Sequence, residues 1–338
     1  MSARAVAIER GGRAGRAGAV AALAAFAFLA TFPAWAPSDV MRLGVEFACL
    51  LALAQAWNLL AGYGGMVSLG QQAFIGIGGY TLFALANGLH VNAFLCVPAA
   101  GVVCALAAVP ISRVVFRLHG GYFAVGTWVV AEIVRLLFAN WSALGGGSGQ
   151  SLTALVGFER STREALTFWL ALALVAASTG GVWWLLRSRL GLALTAIRDG
   201  DAVAESQGVD VARTKFVVYV AAAAACGVAG ALYFLSALRI SPDAAAGMGW
   251  IPLLFFAVIV GGIGTIEGPI VGTALYLALR QGLGDYGAWY LIADGAIAIV
   301  IMLVAPRGLF GLVAERFGMH LFPVRSIVRL PTPERIEP

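Results

Sequence analysis

Residues 216–238 read FVVYVAAAAACGVAGALYFLSAL, and this stretch contains no charged side chain. A helix of about 20 apolar residues spans the hydrocarbon core of a bilayer, which is roughly 30 Å thick. A soluble fold would have to bury such a run completely, whereas lipid solvates it on every side. The stretch therefore predicts a transmembrane helix.

Similar apolar runs recur along the whole chain. They lie at about 18–36, 43–61, 66–86, 93–111, 122–139, 166–186, 250–262, 269–283 and 289–305. The composition is 61% hydrophobic and 12% charged, whereas soluble domains carry about 25% charged residues. The sequence therefore predicts an all-α polytopic membrane protein with about ten transmembrane segments, some of them broken at Gly-rich stretches.

The distribution of basic residues predicts the orientation, because cytoplasmic loops are enriched in Lys and Arg. If all ten segments cross and the N-terminus is cytoplasmic, the outer stretches hold only Arg42, Arg160, Arg163, Arg239 and Arg280. Both termini are then cytoplasmic. We expect a cytoplasmic segment 1–17, a transmembrane domain 18–307 with a cytoplasmic loop 187–215, and a basic cytoplasmic tail 308–338. The first run exceeds a usual signal-peptide core, so we expect an uncleaved span.

Several classes of function are disfavoured by the residues themselves. The net charge is +5, but the basic residues are spread between the spans, so nucleic-acid binding is not indicated. The four cysteines lie inside apolar segments, where they are typical of small buried residues rather than of disulfides or metal ligands. The sequence lacks a phosphate-binding G-x-x-x-x-G-K-[ST] loop and any catalytic constellation, so we expect no enzyme activity, metal or bound cofactor in this chain.

The 187–215 loop is the most informative connection. An apolar side from Leu190 to Ile197 is followed by charged and small residues and then by a Gly that suits a helix C-cap. A short helix with one apolar and one charged face fits a groove of another protein, although a solvated helical linker is an equal alternative from composition alone. The candidate docking residues are Arg198, Asp199, Asp201, Ala204, Glu205 and Gly208.

A Gly-rich run at 62–79 suggests a broken helix. Gly lets membrane helices approach closely, and it lets a helix break where the freed backbone lines a cavity. Transporters often bind substrate at such breaks. The candidate pathway residues are Asn58, Gly64, Gly65, Ser68, Gln71 and Gln72, with close helix packing as the alternative. A comparable break is expected at 261–269.

Three charged residues are predicted to lie within spans. Glu132 and Arg135 share a helix face and can pair, and Asp294 lies in the last span. Intramembrane charges are costly, so they indicate either a functional site or a pair that holds helices together. For Glu132 and Arg135 the structural role is favoured, because a pre-paired Arg is a poor receptor for a free carboxylate.

Four stretches together resemble one family. They are residues 56–80, AWNLLAGYGGMVSLGQQAFIGIGGY; residues 118–127, LHGGYFAVGT, with the following 132–141; residues 191–233; and residues 260–272, VGGIGTIEGPIVG. In this order they resemble the permease subunits of the branched-chain amino acid (LivM-like) ABC importer family. That family usually has His at the position of Gln71, and this departure leaves the exact substrate open.

The resemblance implies a mechanism and a set of partners. The 187–215 loop would hold the coupling helix that sits on an ATPase subunit. The partners would be a second related permease, two ATP-binding cassette subunits that use ATP and magnesium, and a periplasmic substrate-binding protein at the bacterial inner membrane. The chain would form the path for a branched-chain amino acid or related small polar solute by alternating access. The residues alone leave open a stand-alone secondary transporter or channel that uses Glu132, Arg135 or Asp294 as ion-coupling groups.

Overall fold

The fold was analysed in a computed structural model, which describes residues 7–9, 23–284, 289–305, 307–317 and 327–329. Most of the predicted segment 1–17 and much of the predicted tail 308–338 lie outside these residues. The first half of the chain contains β1 (Ala7–Glu9), α1 (Leu23–Ala34), α2 (Ser38–Asn58, continued by a π-helical turn Leu59–Tyr63), α3 (Gln71–Phe83, with a π turn Ala84–Gly88), α4 (Ala93–Val115), α5 (Gly121–Ala139), β2 (Gln150–Ser151) and α6 (Arg160–Arg187).

The second half is equally helical. It contains α7 (Arg189–Asp199), α8 (Asp201–Ser206), α9 (Val211–Ala237), β3 (Arg239–Ile240), α10 (Pro242–Ala246), α11 (Trp250–Phe255, with a π turn Phe256–Val260), α12 (Glu267–Leu283), α13 (Trp289–Val304), α14 (Gly308–Phe317) and β4 (Ile327–Arg329). The chain is therefore an all-α polytopic membrane protein, as its apolar runs predicted.

Seven helices among the described residues are long and apolar enough to cross a membrane. They are Ser38–Tyr63, Ala93–Val115, Gly121–Ala139, Arg160–Arg187, Val211–Ala237, Pro242–Val260 and Ile292–Leu312. The sequence predicted about ten segments, and the three others are not among these seven. The helix in 18–36 is described only from Leu23 to Ala34, α12 is 17 residues long, and α3 begins only at Gln71 because residues 64–70 leave the helical conformation.

The helix α9 is the centre of the bundle, because it packs against α2, α3, α4 and α6. Small side chains make these contacts close. A Cβ atom placed on Gly78 of α3 would overlap the backbone carbonyl of Gly227 on α9. Most of α2 is buried inside the fold, whereas only 22% of α5 is buried, and α5 presents exposed apolar side chains such as Val125, Val129 and Ile133. The exposed apolar faces are those that lipid or a partner subunit can cover.

The bundle has two distinct ends. At the β end, β2 pairs antiparallel with β3, and α2 and α6 begin nearby. At the short-helix end, α6 stops at Arg187 and α7 and α8 lead into α9. A second antiparallel pair joins β1 to β4, so the described parts of the two terminal segments lie side by side.

Candidate functional site

The predicted break after α2 is present and occupies residues 64–70. The backbone N–H of Met66 bonds to the Leu60 carbonyl at 2.9 Å, which closes the end of the helix. Gly65 has φ +66°, a left-handed conformation that favours glycine. The N–H of Leu69 then donates to Thr127 Oγ1 on α5 at 3.0 Å. A Cβ on Gly70 would overlap the Thr127 carbonyl, so the returning chain lies directly against α5.

This break carries the start of α3 into the middle of the bundle. The thiol of Cys226 lies 3.0 Å from Gln71 Oε1, and Cys226 lies near the centre of the 27-residue helix α9. The two helices run in the same direction, since α3 leads to Asn87, which donates to the Ser151 carbonyl of β2 at 3.0 Å, and α9 leads to β3, which pairs with β2. The N-terminus of α3 therefore lies about halfway along a membrane-crossing helix.

Buried amide groups surround this N-terminus. Gln71 and Gln72 are each 1% exposed. Gln71 Oε1 accepts from Cys226, but Gln71 Nε2 and both amide atoms of Gln72 have no hydrogen-bond partner among the residues that the structure describes. No side chain caps α3. Buried polar groups in proteins are normally hydrogen-bonded. With three amide atoms unpaired, Gln71 and Gln72 form the least satisfied polar cluster in the described bundle.

A small pocket lies beside these amides. In this conformation it is too narrow to admit a water molecule. Ser68 also lines it, and its Oγ accepts from the Gly70 N–H at 3.2 Å. The residues that line the pocket are Trp57, Ser68, Leu69, Gln71, Gln72, Ile251, Leu254 and Phe255. The wall that α11 supplies is therefore apolar, whereas the polar side chains come from residues 68–72.

Asn58 has a different environment from the two glutamines. Its Nδ2 donates to the Thr265 carbonyl at 2.7 Å, and its Oδ1 accepts from the Gly264 N–H at 2.8 Å. Gln55 donates to the Ile266 carbonyl at 2.7 Å. These bonds join α2 to the second predicted break, residues 261–266, which lies between α11 and α12. Asn58 thus joins the end of α2, just before the first break, to the second break. Both of its side-chain amide atoms are bonded there and not in the pocket.

Gly64 and Gly65 lie at the short-helix end, away from the pocket. A Cβ on Gly64 would lie 3.3 Å from Leu194, and one on Gly65 would lie 3.4 Å from the Cα of Arg198. Both contacts are with α7 of the 187–215 loop. The six predicted pathway residues therefore divide into three groups: an amide pocket with Ser68, Gln71 and Gln72, a connection through Asn58, and a contact with α7.

The 187–215 loop forms two short helices. Ser188 Oγ accepts from the Leu190 N–H at 3.2 Å and caps α7. Gly200, at φ +156°, separates α7 from α8, and Gly208, at φ +80°, follows the end of α8. The side chains of Ile197, Ala204 and Val211 form a small apolar cluster that holds α7, α8 and the start of α9 together.

The predicted docking residues serve different roles in this loop. Ala204 is buried, and Asp201 pairs with Lys215 at 2.6 Å, so both stabilise the loop itself. Asp199 and Glu205 are exposed beside two exposed apolar side chains, Leu192 at 73% and Val203 at 53%. The outward face of α7 and α8 is consequently both apolar and acidic. Such a surface is suited to contact with another protein.

Arg198 points inward from the same loop. Its Nη1 donates to the Gly62 carbonyl at 3.0 Å, at the end of α2. A Cβ on Gly264 would lie 3.4 Å from the same nitrogen, so the guanidinium also lies beside the second break. One side chain of the loop therefore contacts both interrupted helices.

The intramembrane charges form pairs that the sequence predicted only in part. Arg135 bonds to Glu132 on its own helix at 2.5 Å, as the spacing predicted, and also to Asp243 on α10 at 2.6 Å. Glu46 on α2 pairs with Arg280 on α12. Sequence spacing gave no signal for these two partners, because both lie on distant helices. Asp294 is 7% exposed, and its Oδ1 has no hydrogen-bond partner in the described part of the chain.

Comparisons with known proteins agree on one family. The family model described as the permease component of branched-chain amino acid transport systems matches residues 40–306. The chain is 30% identical to the high-affinity branched-chain amino acid transport system permease protein LivM of Salmonella typhimurium over 307 residues, covering 82% of this chain and 72% of that protein. It is 29% identical to the Escherichia coli protein of the same name over the same shares.

A more distant relative is a probable branched-chain amino acid transport permease protein LivH of Methanocaldococcus jannaschii. It is 27% identical over 219 residues, which cover 61% of this chain and 63% of that protein. No solved structure matches the chain.

Proposed function

We propose, on the premise that this chain belongs to the family of branched-chain amino acid transport system permease components, that it forms the membrane path of an ATP-driven importer. The chain is a transport subunit and not an enzyme. Its substrate is a branched-chain amino acid or a related small polar solute. The solute crosses by alternating access, in which the path opens to one side of the membrane at a time.

The observation that carries this proposal is the connection from the 187–215 loop to the two breaks. The outward face of α7 and α8 is exposed and carries both apolar and acidic side chains. Arg198 of the same loop bonds to the Gly62 carbonyl and lies beside Gly264. A protein that moves α7 would therefore move groups in direct contact with both interrupted helices. Binding at this surface can thus change the conformation of the membrane path.

The partners follow from this arrangement and from the family. An ATP-binding cassette subunit that uses ATP and magnesium docks on α7 and α8, with Asp199 and Glu205 as its exposed acidic contacts. A second cassette subunit docks on a second, related permease. A periplasmic substrate-binding protein delivers the solute at the β end, where residues 140–150 are one candidate contact.

The topology is that of an inner-membrane protein with the short-helix end in the cytoplasm. The short helices α1, α3 and α12 are embedded with the seven longer ones, which gives about ten segments and two cytoplasmic termini. The pairing of β1 with β4 supports placing both terminal segments on one side. The path runs between the breaks, with Ser68, Gln71 and Gln72 as its polar lining and Asn58, Gly64 and Gly65 as supporting contacts.

The test is reconstitution of the complete importer in vesicles. Uptake of radiolabelled leucine, isoleucine and valine should require ATP and the binding protein. Substitution of Asp199 by Lys should reduce both uptake and recovery of the ATPase subunits with the tagged chain. Glu159→Lys is the matched control, because it makes the same charge change at an exposed site before α6, at the β end. Unchanged ATPase recovery with Asp199→Lys would contradict the docking assignment.

A further inference from the structure

We propose that the N-terminus of α3 and the amides of Gln71 and Gln72 form the subsite that receives the carboxylate of an aliphatic amino acid. This inference rests on the proposed importer function and adds to it the chemistry by which the path recognises its solute. It assigns the carboxylate to the polar side of the pocket and the aliphatic side chain to the apolar side.

The first argument is the state of the helix end. The first backbone N–H groups of a helix have no partners inside that helix, and they carry a partial positive charge. They are normally capped by a side chain or by water. The N-terminus of α3 has no side-chain cap, and it lies beside Cys226 in the middle of the bundle. A carboxylate is the ligand that such an N-terminus stabilises.

The second argument is independent of the helix end. Gln71 Nε2 and Gln72 Nε2 are buried amide donors, each without a partner in the described part of the chain. Burial of an unpaired amide costs about 1–3 kcal/mol. Two such donors beside one helix end can be satisfied by one anionic group that accepts several hydrogen bonds. Gln72 Oε1 and the Ser68 hydroxyl remain as acceptors for an ammonium group.

The third argument concerns the other side of the pocket. Trp57, Leu69, Ile251, Leu254 and Phe255 line it, and none of them carries a charge. A branched aliphatic side chain gains free energy when it leaves water for such a surface. A solute with a charged or strongly polar side chain would lose hydration there without compensation. The pocket thus combines a donor-rich end with an apolar end, as an aliphatic amino acid requires.

Widening of the narrow pocket for a solute requires a movable wall, and α11 supplies it. Ile251, Leu254 and Phe255 all belong to this six-residue helix. It follows the non-helical residues 247–249 and continues into the π-helical turn Phe256–Val260, which leads to the second break. A short segment between two irregular stretches can shift, with its first residue, Trp250, held against Tyr233 of α9 at 5.1 Å between ring centroids. The same break is the one that Asn58 and Arg198 contact.

The test measures equilibrium binding of radiolabelled leucine to the purified importer complex without its binding protein. Two competitors separate the ends of the solute: 4-methylpentanoate lacks the amino group of leucine, and 3-methylbutylamine lacks its carboxylate. We expect the acid to displace leucine at concentrations at least roughly tenfold lower than the amine. In Gln72→Glu, repulsion between carboxylates should raise the Kd for leucine by roughly tenfold or more. Gln281→Glu, the same change at an exposed site near the end of α12, is the matched control.

Each outcome decides the assignment. The subsite would be overturned if the amine competed as strongly as the acid, or if Gln72→Glu bound leucine as tightly as the wild type. It would also be overturned if a wild-type complex that transports leucine did not bind it. The competition series uses the wild-type chain, so it remains decisive even if Gln72→Glu does not assemble. ATP-dependent uptake in vesicles is measured in parallel. Its absence in the wild type would refute the importer function itself, whereas its presence with a failed competition series would refute only the subsite.

Discussion

Arg198 Nη1 donates a hydrogen bond of 3.0 Å to the backbone carbonyl of Gly62, and this bond joins the 187–215 loop to the end of α2. The two residues are separated by 136 positions in the chain. Gly62 directly precedes the stretch that returns towards the centre of the bundle, where α3 begins. The bond therefore connects the loop that carries a surface suited to a partner with the helix end from which the chain returns to the candidate solute site.

Substitution of Arg198 by Ala should uncouple transport from ATP hydrolysis. The backbone carbonyl of Gly62 loses its guanidinium partner, so movement of α7 is transmitted less directly to α2. We expect ATP hydrolysis by the reconstituted complex to persist while leucine uptake falls by roughly tenfold, which corresponds to about 1.4 kcal/mol. Arg189→Ala is the control, because Arg189 is an exposed arginine on the same helix. Equal losses of uptake in the two variants would contradict a specific role for Arg198.

Substitution of Gly78 by Ala should destabilise the bundle. The new Cβ would overlap the backbone of Gly227, and neither α3 nor α9 can rotate away because both are packed on other sides. Overpacking of this kind costs about 1–3 kcal/mol. We expect a lower melting temperature of the purified chain in detergent. Gly180→Ala on α6, where no atom lies within 4 Å of the new Cβ, should leave the melting temperature unchanged or raise it.

Much of this fold could be predicted from residues that act locally. The apolar runs locate the helices because a membrane crossing has a fixed length, and Gly65 and Gly208 mark conformations that few other residues adopt. The pairing of Glu132 with Arg135 follows from helical spacing. These features depend on neighbours within one element, so the sequence contains the necessary information.

The remaining features depend on contacts between distant elements. The partners of Asn58 are backbone groups of residues 264 and 265, which no side-chain pattern identifies. The sequence grouped Gly64 and Gly65 with Gln71 and Gln72, because it cannot show that the chain between them crosses about half of the bundle. It also placed the start of the third segment at residue 66 rather than at Gln71, since an apolar run does not reveal where a helix begins.

Substitution of Asn58 by Leu should weaken the connection between the two breaks. The Gly264 N–H and the Thr265 carbonyl would both lose their partners in a buried setting, at a cost of about 1–3 kcal/mol for each group. We expect a lower melting temperature and reduced uptake together. Asn58→Asp should be at least as destabilising, because it would place a buried carboxylate against the Thr265 carbonyl. Gln281→Leu is the control, because it introduces the same residue in place of an exposed polar side chain on α12. A wild-type melting temperature for Asn58→Leu would contradict this role.

Substitution of Glu132 by Gln distinguishes an ATP-driven importer from a carrier that uses an ion gradient. Arg135 keeps Asp243 as a partner at 2.6 Å, so the contact between α5 and α10 should survive. The Asp243 side chain is 80% exposed, and exposed ion pairs contribute about 0.2–1 kcal/mol, so the change in stability should be small. In vesicles, leucine uptake by wild type and Glu132→Gln should depend on ATP and be indifferent to an imposed pH gradient. Wild-type uptake that follows the gradient without ATP, and is lost in Glu132→Gln, would instead identify Glu132 as a proton-coupling group.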